Sequence, residues 1–290
     1  MPAGNLIDLR RRVRSVKNIQ QITRAMKFIS ASRLRRAQDR ITAARPYANR
    51  MLRVLNSLAT RVNTNRHPLL AEREQEKIML VVVTGDKGLC GSFNSNIIKA
   101  ASQFIENEGQ NRELSLTLVG RKGTDWFKRR PWPIRHRYIN IMSRVDFSYA
   151  EEIAGSLIEY FSESEIDSVY LIYNEFKSVI QQEIVVEPLL PIRRLQVDAG
   201  ETYLDYIYEQ PRAEIFNSIL PRHVETQVFR AMLESEAAEQ GARMSAMDSA
   251  TRNAKEMIAA LTLKMNRIRQ ASITTEIIEI VSGADALSEH

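Results

Sequence analysis

From Leu34 onward, apolar residues return at Leu34, Ala37, Ile41, Ala44, Ala48, Met51, Leu55, Leu58 and Val62, alternating steps of three and four over four heptads. That spacing keeps one stripe of a helix facing a partner helix, the seam of a coiled coil. Upstream, Leu6, Leu9, Val13 and Val16, then Ile19, Ile22, Met26 and Ile29, keep the same steps with one change of phase, which predicts a stutter. Pro46 predicts a slight kink. At ~1.5 Å per residue, a helix of this length reaches roughly 80 to 90 Å, far more than the width of a small domain. It must project.

The other end of the chain behaves alike. No proline follows Pro221, and Met247, Ala250, Ala254, Met257, Leu261, Met265 and Ile268 mark one face of a second long helix. Two such helices bury their stripes best against each other, and the chain between them lets them meet antiparallel. A seam rich in Ala and Met allows close approach and easy repacking.

Between the helices the period changes. KIMLVVVTG (77–85), LSLTLVG (114–120), DSVYLIYNEF (167–176) and EIVVEPLLPI (183–192) read as strands. NSNIIKAASQFIENE (94–108), TDWFKRR (124–130) and SYAEEIAGSLIEYFSES (148–164) read as the helices separating them, with loops at Gly109, Pro131-Trp132-Pro133 and Asp198-Ala199-Gly200. The expected fold is α/β: a long antiparallel coiled coil of N- and C-terminal helices (1–62 and 212–287) plus a central Rossmann-like α/β domain (77–200) with a mainly parallel sheet.

Charge is distributed unevenly. Residues 1–57 carry fourteen Lys or Arg against Asp8 and Asp39, a net of +12, whereas the whole chain carries +6. A basic, amphipathic N-terminus is also what an organellar transit peptide looks like. The apolar period runs past residue 55 in step, so the segment is expected to belong to the mature protein. Nucleic-acid binding is a second reading of the arm, but its aromatics are only Phe28 and Tyr47, and no reading motif accompanies them. An acidic protein partner accounts for the charge equally well. Apolar runs such as MLVVV and LIEYF fall far short of the roughly 18 to 20 residues of a membrane span. One cysteine and four dispersed histidines argue against a disulfide or zinc scaffold.

The stretch VVVTGDKGLCGSFN (81–94) looks at first like a phosphate loop. A Walker-type loop needs Lys and Ser or Thr directly after its last glycine, whereas here Lys87 precedes Gly88, and Cys90 stands where that glycine belongs. Gly85, Gly88 and Gly91 are evenly spaced by three, unlike the dinucleotide fingerprint, and Asp86 would repel phosphate. A tight strand-to-helix crossover capped by Ser92 or Asn94 is the expectation. Cys90 has no suggested base and reads as a packed thiol. Glu151 and Glu152 cannot share one helix face and read as solvated carboxylates. No catalytic, cofactor-binding or metal-binding set is expected.

Four separated segments carry a resemblance: IQQITRAMKFISASRLRRAQDRI with ARPYA, TGDKGLCGSFN, DYIYEQP, and ARMSAMDSAT followed by RQASITTEIIEIVSGA. In that order, and from end to end, the chain resembles the gamma-subunit family of F-type ATP synthases, in a bacterial form without the cysteine-bearing insertion of the chloroplast proteins. The resemblance implies a rotor shaft, one copy per complex, whose orientation couples rotation to ATP synthesis or hydrolysis on other subunits. It implies three alpha and three beta subunits, an epsilon subunit and a ring of c subunits as partners, with no cofactor, no chemistry of its own and no nucleic acid. It also implies a peripheral position on the cytoplasmic face of the bacterial inner membrane. Met26, Arg33, Arg36, Arg269, Gln270, Thr274 and Glu276 match positions that contact beta, and Tyr206, Tyr208 and Glu209 match the foot that touches epsilon and the c ring. The tip IIEIVSGADAL is small-residued and apolar, suited to a greasy collar, the alternative being a frayed helix end. The competing readings are a coiled-coil scaffold or nucleic-acid protein, which requires salt-dependent nucleic-acid binding, and an α/β nucleotide-binding enzyme, which requires ATP affinity in the middle domain.

Overall fold

The computed structural model describes residues 2–59, 67–109, 112–179, 181–192 and 211–288. Helix α1 (Pro2–Ala59) and helix α5 (Arg212–Ser288) are 58 and 77 residues long, and Pro46 and Pro221 stand inside them without ending them. Between them lie β1 (Lys77–Val83), α2 (Phe93–Glu108), β2 (Glu113–Val119), α3 (Arg121–Phe127), β3 (Ile134–Tyr138), α4 (Phe147–Ser162), β4 (Ser168–Phe176) and β5 (Gln182–Leu190). The chain divides into two compact units, residues 30–243 and the paired ends 1–29 with 244–290.

In the larger unit the sheet order is β3-β2-β1-β4-β5, parallel throughout except for β5, which runs antiparallel to β4 at one edge. β1 is central, and its run KIMLVVV is buried from Ile78 to Val83, as a strand covered on both faces must be. Its side chains alternate between two cores. Met79, Val81 and Val83 join α4, the Leu34–Leu55 seam of α1 and the Phe216–Ala237 part of α5. Leu80 and Val82 face α2, whose buried residues Phe93, Ile97, Ala101 and Ile105 recur every four positions. α4 starts where Asp146 accepts a hydrogen bond from the Ser148 backbone N–H at 3.1 Å, a side-chain cap.

β3 was absent from the sequence reading. IRHRY interleaves apolar and cationic side chains, lies half-exposed at the sheet edge, and is too short and polar to stand out from the Pro-Trp-Pro loop before it. It pairs with β2 in parallel, with a bulge between Leu116 and Thr117.

The stutter in α1 is not there. The inward positions run Leu6, Leu9, Val13, Val16, Gln20, Thr23, Lys27, Ser30, Leu34, Ala37, Ile41, Ala44, Ala48, Met51 and Leu55, an unbroken alternation of three and four, each residue buried or half-buried. Four polar residues hold the seam from Gln20 to Ser30. Ile19, Ile22 and Ile29 stand beside it, 50%, 58% and 53% exposed. In the unit of paired ends two of the polar residues, Lys27 and Thr23, find partners on α5. Lys27 Nζ lies 2.6 Å from Asp248 Oδ1, and the Thr251 hydroxyl donates to the Thr23 hydroxyl at 2.8 Å. Residue numbers rise on one helix as they fall on the other, so the pair is antiparallel. Polar contacts of this kind specify register in a coiled coil. On α5, Met257 is 53% exposed, against expectation, and Ile258 turns inward in its place, with Thr251, Ala254, Leu261, Met265 and Ile268 completing the stripe.

Candidate functional site

The glycine-containing loop after β1 is tied down by side chains of its own domain. The Asp86 carboxylate is nearly buried and accepts backbone hydrogen bonds from Arg121 at 3.0 Å, Asn140 at 2.8 Å and Met142 at 3.0 Å. It thus occupies the amide donors that an anion would need and ties the loops after β2 and β3 to the end of β1. Thr84 extends the tie: its hydroxyl donates to the Val119 carbonyl at 3.1 Å and accepts from the Gly123 N–H at 2.9 Å. Gly120, at φ 96, lies so close that a Cβ there would meet the Thr84 carbonyl oxygen at 2.1 Å.

Ser92 occupies the cap position of α2 but makes no side-chain cap bond. Asn94 does not cap the helix either. Its Oδ1 accepts the Gly85 N–H at 2.9 Å and its Nδ2 donates to the Lys87 carbonyl at 3.3 Å, so it braces the loop from within. Cys90 is buried, and burial, followed by the neighbouring Glu239 charge, pushes its thiol pKa up, the reverse of what a nucleophile needs. Leu89 sits in the left-handed region at φ 63 with its side chain 65% exposed. Glu151 and Glu152 are exposed, and Glu151 accepts from Arg222 at 3.2 Å.

α5 crosses this unit buried on every face from Ala231 to Gly241, and it brings carboxylates with it. Glu234 accepts the Phe176 N–H at 3.1 Å. Glu239 and Arg243, both buried, form an ion pair one helical turn apart. Arg243 also donates from Nε and Nη2 to the Gly88 carbonyl, each at 3.3 Å. Arg230 lies 2.7 Å from Glu187, and burial pushes the His223 imidazole down to about 4.

Glu236 faces a basic recess. Arg33, Arg36, Arg40 and Arg144 line a cavity of about 470 Å³ together with Asp146 and Glu236. Arg40 lies 3.3 Å from Glu236 and donates to the Val145 carbonyl as well. Burial pushes the Glu236 carboxyl up to about 7, outweighing the pull of Arg40. Glu236 therefore holds its proton more tightly folded than unfolded, and stability is fully present below about pH 4.5 and falls as pH rises towards about 7. Glu236→Gln should flatten that window and stabilise the chain at pH 8 by up to about 3 kcal/mol. Denaturant unfolding of both proteins at pH 4.5 and pH 8 measures it.

Of the site residues expected from sequence, Arg33 and Arg36 meet at this recess. Met26, half-buried, belongs to the unit of paired ends, as do Arg269, Gln270, Thr274 and Glu276, all exposed along α5. The Thr274 hydroxyl donates to the Gln270 carbonyl of its own helix at 3.0 Å. Ile277, Ile278, Ile280 and Val281 beyond them are more than half exposed. Tyr206, Tyr208 and Glu209 lie outside the described residues. Among the described residues, no group of three or more His, Cys, Asp or Glu could hold a metal, and no helix is long and apolar enough to cross a membrane.

A family model described as ATP synthase matches residues 5–287. The ATP synthase gamma chain of Solibacter usitatus is 51% identical over 286 residues, covering 97% of this chain and 99% of its own length. This chain belongs to the ATP synthase gamma chain family. A chain in the solved central stalk and c-ring of Tetrahymena thermophila mitochondrial ATP synthase is 29% identical, with a TM-score of 0.60 over 79% of this chain and 99% of that one. A chain from the Euglena gracilis mitochondrial ATP synthase assembly of OSCP, F1 and c-ring is 19% identical, with a TM-score of 0.69 over 98% of this chain and 95% of that one, a likeness of fold. What sequence reasoning missed in this gamma chain is polar and long-range: Arg144 at the recess, and the approach of Glu239 and Arg243 to the glycine-containing loop. A Glu and an Arg four positions apart on the long helix, Glu239 and Arg243, were the available signal.

Proposed function

We propose that this central-stalk gamma chain is the non-catalytic rotor shaft of an F-type ATP synthase, coupling proton-driven rotation of a c ring to the catalytic beta subunits. The observation that carries the reading is the pairing of the chain's two ends into one antiparallel helix pair, locked by Lys27–Asp248 and Thr23–Thr251, with an exposed apolar tip. Directional polar contacts hold the two helices in register as they turn, while an apolar tip turns against a sleeve without directional bonds to break. The buried thiol and the protein-filled glycine loop support a role without chemistry of its own.

In this reading the helices 1–62 and 212–287 act as the shaft and residues 77–200 as the base. Three alpha and three beta subunits surround one copy of the shaft. Met26, Arg33, Arg36, Arg269, Gln270, Thr274 and Glu276 face beta, and Tyr206, Tyr208 and Glu209 face epsilon and the c ring. The complex sits on the cytoplasmic face of the bacterial membrane, with this chain peripheral. Exposed ion pairs of the basic arm are each worth about 0 to 1 kcal/mol, weak enough to release at every step. Mixing the purified chain with alpha and beta should yield a stable complex that hydrolyses ATP, whereas the chain alone should hydrolyse none. Failure to co-assemble would sink the proposal.

A further inference from the structure

The loop Gly85–Gly91 and α5 meet in a way that hydrophobic packing does not require. Glu239 and Arg243 are only 4% and 6% exposed, and taking two charges out of water is costly before their attraction offsets it. An apolar pair of the same volume would hold the helix as firmly. What it would lack is direction, because hydrophobic contact is not tied to particular atoms. Here the Arg243 fork donates twice to the Gly88 carbonyl while it grips Glu239. The Glu239 carboxylate rests on the loop backbone where Gly85 has no side chain. A Cβ there would stand 2.9 Å from its Cδ and 3.0 and 3.1 Å from its oxygens.

The loop that receives these groups is itself fixed. Asp86 binds three backbone amides from the loops after β2 and β3, and Asn94 holds Gly85 and Lys87. The path from α5 thus runs through the Gly88 carbonyl and the loop backbone to Asp86, whose bonds reach the segments that follow β2 and β3. Arg243 is the last residue of the sheet-bearing unit, and the chain enters the paired ends at Met244.

We propose that Glu239, Arg243 and the Gly85–Gly91 loop form a torque clamp that fixes the rotation and axial position of α5 against the α/β domain. The clamp rests on the rotor reading and adds to it the place where the base grips the shaft. Arg243 and Glu239 are positioning residues, since they act through the helix that carries them.

The test uses the assembled, membrane-bound complex and measures ATP hydrolysis together with ATP-driven proton pumping. For Arg243→Ala, hydrolysis is expected within about two-fold of the unmodified complex, while protons pumped per ATP hydrolysed fall at least three-fold. Arg243→Lys keeps the charge but not the fork, and is expected to resemble Arg243→Ala. Gly85→Ala, which displaces the carboxylate, is expected to lower the same ratio, and Gly85→Ala with Glu239→Ala should be no worse than either alone, since both act on one contact. Leu220→Ala is the control for lost stability: Leu220 is fully buried on α5 in the same unit, and its truncation should lower Tm while the pumping ratio stays unchanged. If Arg243→Ala prevents assembly, Gly85→Ala decides. A pumping ratio that stays unchanged in the clamp variants, or pumping and hydrolysis that decline in parallel, would overturn the clamp. Pumping that is equal with and without this chain would instead overturn the rotor reading.

Discussion

Asp86→Ala should cost about 4 kcal/mol or more in the stability of the 30–243 unit, an effect at the upper end for a single substitution. Asp86 is 9% exposed, and its two oxygens accept three backbone N–H groups from segments 35 to 56 residues distant in the chain. Hydrogen bonds to a charged acceptor are worth about 1.5 to 3 kcal/mol each, and every buried donor left unpaired adds a desolvation penalty. Asp86→Asn separates the components. Its carbonyl oxygen can still accept from Arg121 and Asn140, which share Oδ1, but its amide faces the Met142 N–H as donor against donor. A loss of roughly 1 to 3 kcal/mol is expected. Urea unfolding of the two variants measures the difference. Equal stability of Asp86→Ala and the unmodified chain would mean that water replaces the carboxylate at no cost.

The parts of the fold that could be read from the chain are those set by local period. The Leu34–Leu55 seam and the run KIMLVVV are apolar in the rhythm that their burial requires, so helix and buried strand followed from them directly. The seam from Gln20 to Ser30 could not be read in this way. Its inward residues are polar, and the apolar Ile19, Ile22 and Ile29 beside them mimic a shifted stripe. Only the partners Thr251 and Asp248 on the other helix show which face is inside. Met257 misled for the same reason, since Ile258 beside it is equally apolar and only the geometry of the pair selects between them. β3 depends on its neighbour β2 for its conformation, which no local signal in IRHRY announces. Motif order in the loop argues against a phosphate site, but its service to Arg243 joins residues 155 apart in sequence. The family signatures named the candidate contact residues as single positions. The way that Arg33 and Arg36 combine with Arg40 and Arg144 is a product of folding.

That combination makes charge reversal in the arm the second large effect. Arg33→Glu with Arg35→Glu and Arg36→Glu lowers the net charge of residues 1–57 from +12 to +6. It also sets two new carboxylates at the recess beside Glu236, so part of any loss would come from repulsion inside the chain rather than from a lost partner. The triple Gln variant removes the same guanidinium groups without that repulsion. In the membrane-bound complex, proton-driven ATP synthesis should fall at least ten-fold with the Glu variant and several-fold with the Gln variant. The isolated Gln variant should unfold within about 0.5 kcal/mol of the unmodified chain, because exposed charges contribute little to folding. The loss should also shrink at high salt, where exposed pairs are screened beyond a Debye length of about 8 Å at physiological ionic strength. Synthesis that survives all six substitutions would make the arm a solvated face. Synthesis lost only in the Glu variant would place the effect on Glu236, and the basic recess would then serve the rotor's own stability instead of its grip on an acidic partner.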